Sequence, residues 1–166
     1  KDGKADGLWT WWYENGNKQK EGTYSNDERN GDHKKWNING DLIAKGTFKS
    51  NLMEGDWYFS YINKSTNEPE SMKVSFKSGD GSDLNENTGV PGNGRHGLRI
   101  IYFSNGNKRS EGSFKNGKPD GLFTGWHKNG QKASETSYKN GKDNGLFTDW
   151  HKNGQKDREY IMKDGK

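Results

Sequence analysis

Cysteine is absent from this chain of 166 residues, so there is no disulfide framework; a reducing compartment suits it, and an exported one is not excluded. Proline occurs three times. Aliphatic bulk is scarce: Leu, Ile, Val and Phe make up 22 of the 166 residues, below the roughly one-fifth under which a charged chain is expected to be disordered. No apolar run is long enough to span a membrane as a helix. The glycines at Gly89, Gly92 and Gly94 are not followed by the Gly-Lys-Ser/Thr that opens a phosphate-binding helix.

What the chain does have is periodicity. Glycines recur every 24 residues at Gly7, Gly31 and Gly55, and again at Gly97, Gly121 and Gly145. The unit is plainest where Gly121-Leu-Phe-Thr-Gly-Trp-His-Lys-Asn-Gly-Gln-Lys returns as Gly145-Leu-Phe-Thr-Asp-Trp-His-Lys-Asn-Gly-Gln-Lys. A short fixed period implies supersecondary units that bury their apolar faces only against their neighbours. Seven Trp, seven Tyr and seven Phe supply that core, because each aromatic buries roughly 150–250 Å².

Each unit reads as two short strands about an Asn-Gly pair, at Asn15-Gly16, Asn39-Gly40, Asn105-Gly106, Asn129-Gly130 and Asn153-Gly154. Asn-Gly between strand-like runs predicts a two-residue type I′ hairpin. Six-residue linkers such as Asn26–Gly31, Asn116–Gly121 and Asn140–Gly145 then join the units. The predicted fold is all-β: an elongated, twisted antiparallel β-meander of about six tandem hairpin repeats, one array over residues 1–166 with units starting near 7, 31, 55, 97, 121 and 145. A two-residue turn sets Trp9 opposite Gly22, an aromatic covering a cross-strand glycine. One column, Tyr24, Phe48, Phe76, Phe114, Tyr138 and Met162, lies on one face; Trp12, Trp36, Tyr102, Trp126 and Trp150, with Ser60 the exception, lie on the other.

Two stretches break the pattern, 63–71 and 77–96. Insertions in repeat arrays map to loops and often carry binding. The formal charge of +4 is uneven, with an excess of six positive charges after residue 96, which reads as Lys-rich strand surfaces discouraging edge pairing and is, with the aromatic stripes, a pointer toward nucleic acid or anionic lipid.

The phrases Trp12-Tyr-Glu-Asn-Gly-Asn-Lys18, Tyr102-Phe-Ser-Asn-Gly-Asn-Lys108 and Trp126-His-Lys-Asn-Gly-Gln-Lys132, each running on to a Gly-Lys-x-x-Gly type of linker, resemble the bacterial variant of the MORN repeat over nearly the whole chain apart from the two insertions. Proteins of this kind look like the group labelled YwqK-type antitoxins, which would imply binding and neutralising a partner toxin. MORN repeats elsewhere are associated with membrane-lipid attachment and protein scaffolding. Where they accompany an enzyme, the chemistry lies in a separate domain, and no catalytic motif transfers to this chain.

His127 and His151 sit at equivalent positions one repeat apart, but a zinc site needs further ligands; they read as strand-surface residues. The stretch Asp80-Gly-Ser-Asp83-Leu-Asn85-Glu86-Asn87 offers oxygen ligands without the spacing of a calcium loop and reads as a polar loop. Glu14, Glu21, Glu111 and Glu135 recur where cross-strand pairing with Lys is expected, and nothing forms an acid and base pair. The reading is therefore a non-enzymatic scaffold with no cofactor and no metal, binding a protein partner through Trp9, Trp11, Tyr13 and the insertion residues Asp80, Asp83 and Arg95. Trp11 and Tyr13 stand out because later units place Lys35, Gly125 or Asp149 at the Trp11 position. The alternative is a cell-envelope module that takes glycan or anionic lipid through aromatic and Lys side chains; nucleic acid is the weaker expectation. The opening residues from Lys1 already read as a repeat linker, and the compartment, cytoplasm or cell envelope, stays open.

Overall fold

A computed structural model describes residues 3–166. Its strands are β1 (Gly7–Trp12), β2 (Lys18–Ser25), β3 (Glu28–Trp36), β4 (Leu42–Lys49), β5 (Leu52–Asn63), β6 (Glu68–Gly79), β7 (Arg95–Phe103), β8 (Lys108–Lys115), β9 (Lys118–Trp126), β10 (Lys132–Lys139), β11 (Lys142–Asp143), β12 (Gly145–Trp150) and β13 (Lys156–Met162). They form one open sheet in which each strand lies antiparallel to its neighbours in sequence, with the two-residue β11 beside β10. At about 4.8 Å per strand the twelve-strand path is roughly 50 Å wide. Among the described residues there is no helix, hence none long and apolar enough to cross a membrane.

The turns differ from the sequence expectation. At Asn15-Gly16 only the glycine takes a positive φ, 84°. Gly16 N–H donates to the Tyr13 carbonyl at 3.0 Å and Tyr13 N–H to that of Asn17 at 2.8 Å. This is a type I turn closed by a glycine bulge, not a two-residue type I′ turn, and the register slips between Trp11 and Trp12. The type I′ turns lie instead between units: Asn26 (51°) with Asp27 (70°), Ser50 with Asn51, Asn116 with Gly117, and Asn140 with Gly141 all pair left-handed residues. The six-residue linkers of the sequence reading are thus two-residue turns followed by strand. The periodic glycine lies within that strand; Gly31, with φ 105°, marks the bulge where β2 and β3 change register.

Trp9 does lie opposite Gly22, but the ring covering Gly22 comes from the next hairpin. A Cβ on Gly22 would sit 2.1 Å from His33 Nδ1, one on Gly46 2.1 Å from the Trp57 ring, and one on Gly112 2.3 Å from Phe123. The second, third and fifth hairpins therefore each lay a ring in a slot left open by the preceding one. The rings form a ladder, Trp9, Trp11, Tyr24, His33, Phe48 and Trp57, with centroids 4.9 to 6.1 Å apart, each contact contributing about 0.5–1.5 kcal/mol beyond burial.

The core lies on this ladder face, around Phe48, Met53, Trp57, Met72, Val74, Phe76 and Ile101. Residues 63–71 chiefly lengthen β5 and β6 to 12 residues each, with the turn confined to residues 64–67. The second insertion is folded: Lys77 N–H bonds the Gly94 carbonyl at 2.8 Å, Gly92 N–H that of Asp83 at 2.8 Å, and Leu84 bridges Pro91. It sets Val90, 2% exposed, into the core cluster.

Candidate functional site

The second face carries a row that crosses the whole sheet. Following directly opposed residues gives Thr10, Glu21, Lys34, Lys45, Tyr58 and Lys73, continuing as Ile100, Glu111, Thr124, Glu135, Thr148 and Glu159. The ordinary unit places Thr on its first strand and Glu on its second. That Glu accepts from the Lys three residues earlier: Lys18 to Glu21 at 2.5 Å, Lys108 to Glu111, and Lys132 to Glu135 at 2.7 Å. The same ammonium lies over the tryptophan of the following hairpin, Lys18 over Trp36, Lys108 over Trp126 and Lys132 over Trp150, at 5.1 to 5.7 Å. Lys, Glu and Trp thus tie adjacent hairpins together, and the pairing holds the Glu21 carboxyl below its usual range.

The second hairpin loses all three partners together. Leu42, Lys45 and Ser60 stand where the first, fourth and fifth hairpins have Lys, Glu and the following Trp, and the third hairpin has Glu70, Lys73 and Tyr102 at these positions. Ser60 is the exception in the Trp12 column, and its link to Leu42 and Lys45 is legible in sequence only when the repeats are compared at all three positions. Here the face dips into an open groove of about 610 Å³ bounded by Lys34, Lys45, Lys73, Asp32 and Asp56. Beyond it, Leu98, Leu122 and Leu146, at one repeat position, stand 46%, 55% and 51% exposed.

Of the residues singled out from sequence, Trp9 and Trp11 meet, and the six do not form one site. Trp9 and Trp11 stack at 6.1 Å on the ladder face, with Lys20 Nζ 3.9 Å above the Trp11 ring. Tyr13 is half-buried, its hydroxyl donating to the Trp36 carbonyl at 3.0 Å. Asp80 shapes its own loop, accepting from Ser82 N–H at 2.8 Å and Ser82 Oγ at 2.5 Å, which lowers its pKa. Asp83 holds Gly92 through its carbonyl. Arg95, expected to meet a partner, is instead buried: Nε donates to the Pro91 carbonyl at 2.8 Å and Nη2 to that of Val90 at 3.3 Å, fastening the insertion to β7. His127 Nε2 lies 2.9 Å from the Trp150 carbonyl and His151 Nε2 3.2 Å from Asp157. Among the described residues no three His, Asp or Glu side chains are grouped to hold a metal ion.

A buried polar junction, missed from sequence, joins the third and fourth units. Glu70 accepts from Arg109 Nη1 at 2.6 and 2.8 Å, from Asn63 Nδ2 at 3.2 Å and from the Tyr61 hydroxyl at 3.3 Å. Burial, then Glu70, raises the Tyr61 pKa. Arg99 takes the aromatic's place in the Trp9 column and lies over Phe114 and Phe123; burial, with Arg95 nearby, brings its pKa down to about 10. The Glu70 carboxylate is spent on Arg109, Asn63 and Tyr61, which makes its role structural, whereas Arg99 Nε is buried without a hydrogen-bond partner.

These features define a tandem β-hairpin repeat protein with one packed face and one open, chemically graded face. Three of its hairpins, at residues 5–26, 95–116 and 119–140, match the MORN repeat variant family. Those that supply Lys34, Lys45 and Lys73 lie outside the matched stretches. No curated protein matches the chain.

Proposed function

We propose that the chain is a non-enzymatic scaffold that binds a protein partner on its open face. The observation that carries this reading is the column Leu98, Leu122 and Leu146, half exposed and one repeat apart on the open face, with Ser113 and Ser137 on the strands between them; exposed apolar side chains gathered on one face and rimmed by polar ones suit an interaction site. An antitoxin-like role is the finer form of the same reading and rests on the resemblance to that group of MORN-variant proteins alone. Trp9 and Trp11 lie on the ladder face and would serve a contact separate from the leucine column, as would Asp80 and Asp83 on the insertion that packs Val90 into the core of that face; Tyr13 and Arg95 support these surfaces from within. The envelope reading, glycan or anionic lipid bound through aromatic and Lys side chains, is less favoured because Lys18, Lys108 and Lys132 are already engaged with Trp and Glu.

The test is capture from lysate by the intact chain against a Leu98→Ser, Leu122→Ser, Leu146→Ser variant. We expect one stoichiometric protein, retained at high salt, to be lost with the variant while its circular dichroism is unchanged. Equal capture by both, or binding only to anionic vesicles with steep salt dependence, would sink the reading.

A further inference from the structure

We infer that the groove over β3–β6 recognises an extended peptide segment of a partner protein whose alternate side chains are acidic; this rests on the scaffold reading and names the chemistry that the scaffold selects. Lys34 and Lys45 are directly opposed on neighbouring strands, and Lys45 and Lys73 flank Tyr58 on the next. Like charges directly opposite one another destabilise a sheet, so this arrangement works against folding. Compensation is thin. Lys34 reaches Glu21 at 3.7 Å, Lys73 lies 5.9 Å over the Tyr102 ring, and among the described residues Lys45 has no acidic partner. In the first, fourth, fifth and sixth hairpins the same second-strand position holds a Glu neutralised by its own Lys. The exchange of Leu42, Lys45 and Ser60 for Lys, Glu and Trp therefore gives up inter-hairpin ties and leaves cationic charge facing a groove. An anion bound there relieves the repulsion.

A second row defines what kind of anion. Two residues from Lys34 on β3 lies Asp32, whose carboxylate accepts from Thr47 Oγ1 at 3.0 Å, and two from Tyr58 on β5 lies Asp56, which accepts from Ser75 Oγ at 2.5 Å; Thr47 and Ser75 are two residues from Lys45 and Lys73 on β4 and β6. The groove is therefore cationic along one wall and acidic along the other, and Leu98 and Ile100 close one end. A phosphate or a uniformly anionic polymer matches one wall and is repelled by the other. An extended peptide lying across the strands matches both, because its side chains alternate direction: acidic ones toward Lys34, Lys45 and Lys73, cationic or hydroxyl ones toward Asp32 and Asp56, and an apolar residue at Leu98. Lys34 to Lys73 spans three strand spacings, about 14 Å, or roughly four to five extended residues. Leu98 belongs to both the groove and the exposed leucine column, so one partner segment runs from charged to apolar contacts without leaving the face.

The probe is acetyl-Glu-Lys-Glu-Lys-Glu-Leu-amide, titrated into isotope-labelled full chain and followed by amide shifts. We expect shifts confined to β3–β6 and Leu98, weakened by salt, with the order-scrambled acetyl-Glu-Glu-Glu-Lys-Lys-Leu-amide binding about tenfold more weakly. Lys45→Glu with Lys73→Glu, the residue the other hairpins carry, should keep the dispersed spectrum of the folded sheet and lower affinity by about tenfold or more. Equal binding of the scrambled peptide, shifts elsewhere, no binding, or occupation of the groove by a heparin oligosaccharide but not by the peptide would each overturn the inference. If the peptide fails while leucine-dependent partner capture survives, the scaffold stands without this groove; if capture also fails, the scaffold reading falls separately.

Discussion

Single residues in this sheet serve two hairpins at once. His33 fills the slot over Gly22, stands in the ring ladder and lies with Nε2 2.9 Å from the Thr23 carbonyl. Burial, above all, lowers its pKa, with the Arg29 and Lys20 charges adding to the effect. The folded state therefore releases its proton more readily than the unfolded chain, so stability from this group is complete above the ordinary histidine pKa. It is lost as pH falls below that value toward the depressed folded one. We expect the urea midpoint to drop between pH 7 and pH 5, and His33→Phe, the residue type found at Phe123 and Phe147, to flatten that dependence. An unchanged slope in the variant would assign the acid sensitivity elsewhere. Tyr13 likewise serves two hairpins, half-buried in its own and donating its hydroxyl to the Trp36 carbonyl of the next.

At the scale of the hairpin, the unit is held by what its successor places on it. The Asn of each turn illustrates this: Asn15 and Asn17 both donate to the Ile38 carbonyl at 2.9 Å, and Asn105 and Asn107 donate to that of Lys128 at 3.0 and 2.9 Å. Their recurrence was legible in sequence as a turn signal, but the turn type was not. Asn-Gly suits both a type I′ turn and a type I turn with a glycine bulge, and the contacts to the neighbouring hairpin come from outside the local sequence. The Trp57 ring over Gly46 gives a sharper test. Gly46→Ala forces a Cβ to within 2.1 Å of that ring; overpacking of this kind costs about 1–3 kcal/mol. Chemical denaturation should register that loss, whereas a neutral result would mean that the ring has room to withdraw.

For the molecule as a whole, the 24-residue period made the meander, the strand order and the apolar column legible, because a period that returns the same face to the same side admits few other solutions. The insertion was not legible. Its Gly, Asp and Asn content reads as flexible chain, and only the folded contacts reveal that Val90 completes the core between the third and fourth units. Val90→Ala should therefore cost about 2 kcal/mol and, in hydrogen exchange, loosen β6 and β7 together while leaving β1 and β2 unchanged. Loosening confined to residues 80–94 would make the insertion an independent lid. The graded face was hidden for a different reason: a row that joins Lys34, Lys45 and Lys73 exists only once register is known, and bulges shift that register in every strand pair around it.

Because every hairpin contributes two places to the transverse row and keeps its own internal register, the array behaves as type set in a line. Duplicating residues 31–54 would lengthen the cationic stretch by two places, and removing them would shorten it by two while setting Trp57 and Ser60 against the first hairpin where His33 and Trp36 now lie. The reach and the charge sequence of the open face are thus set by how many units are present and in what order, an editable property in a chain whose fold stays the same.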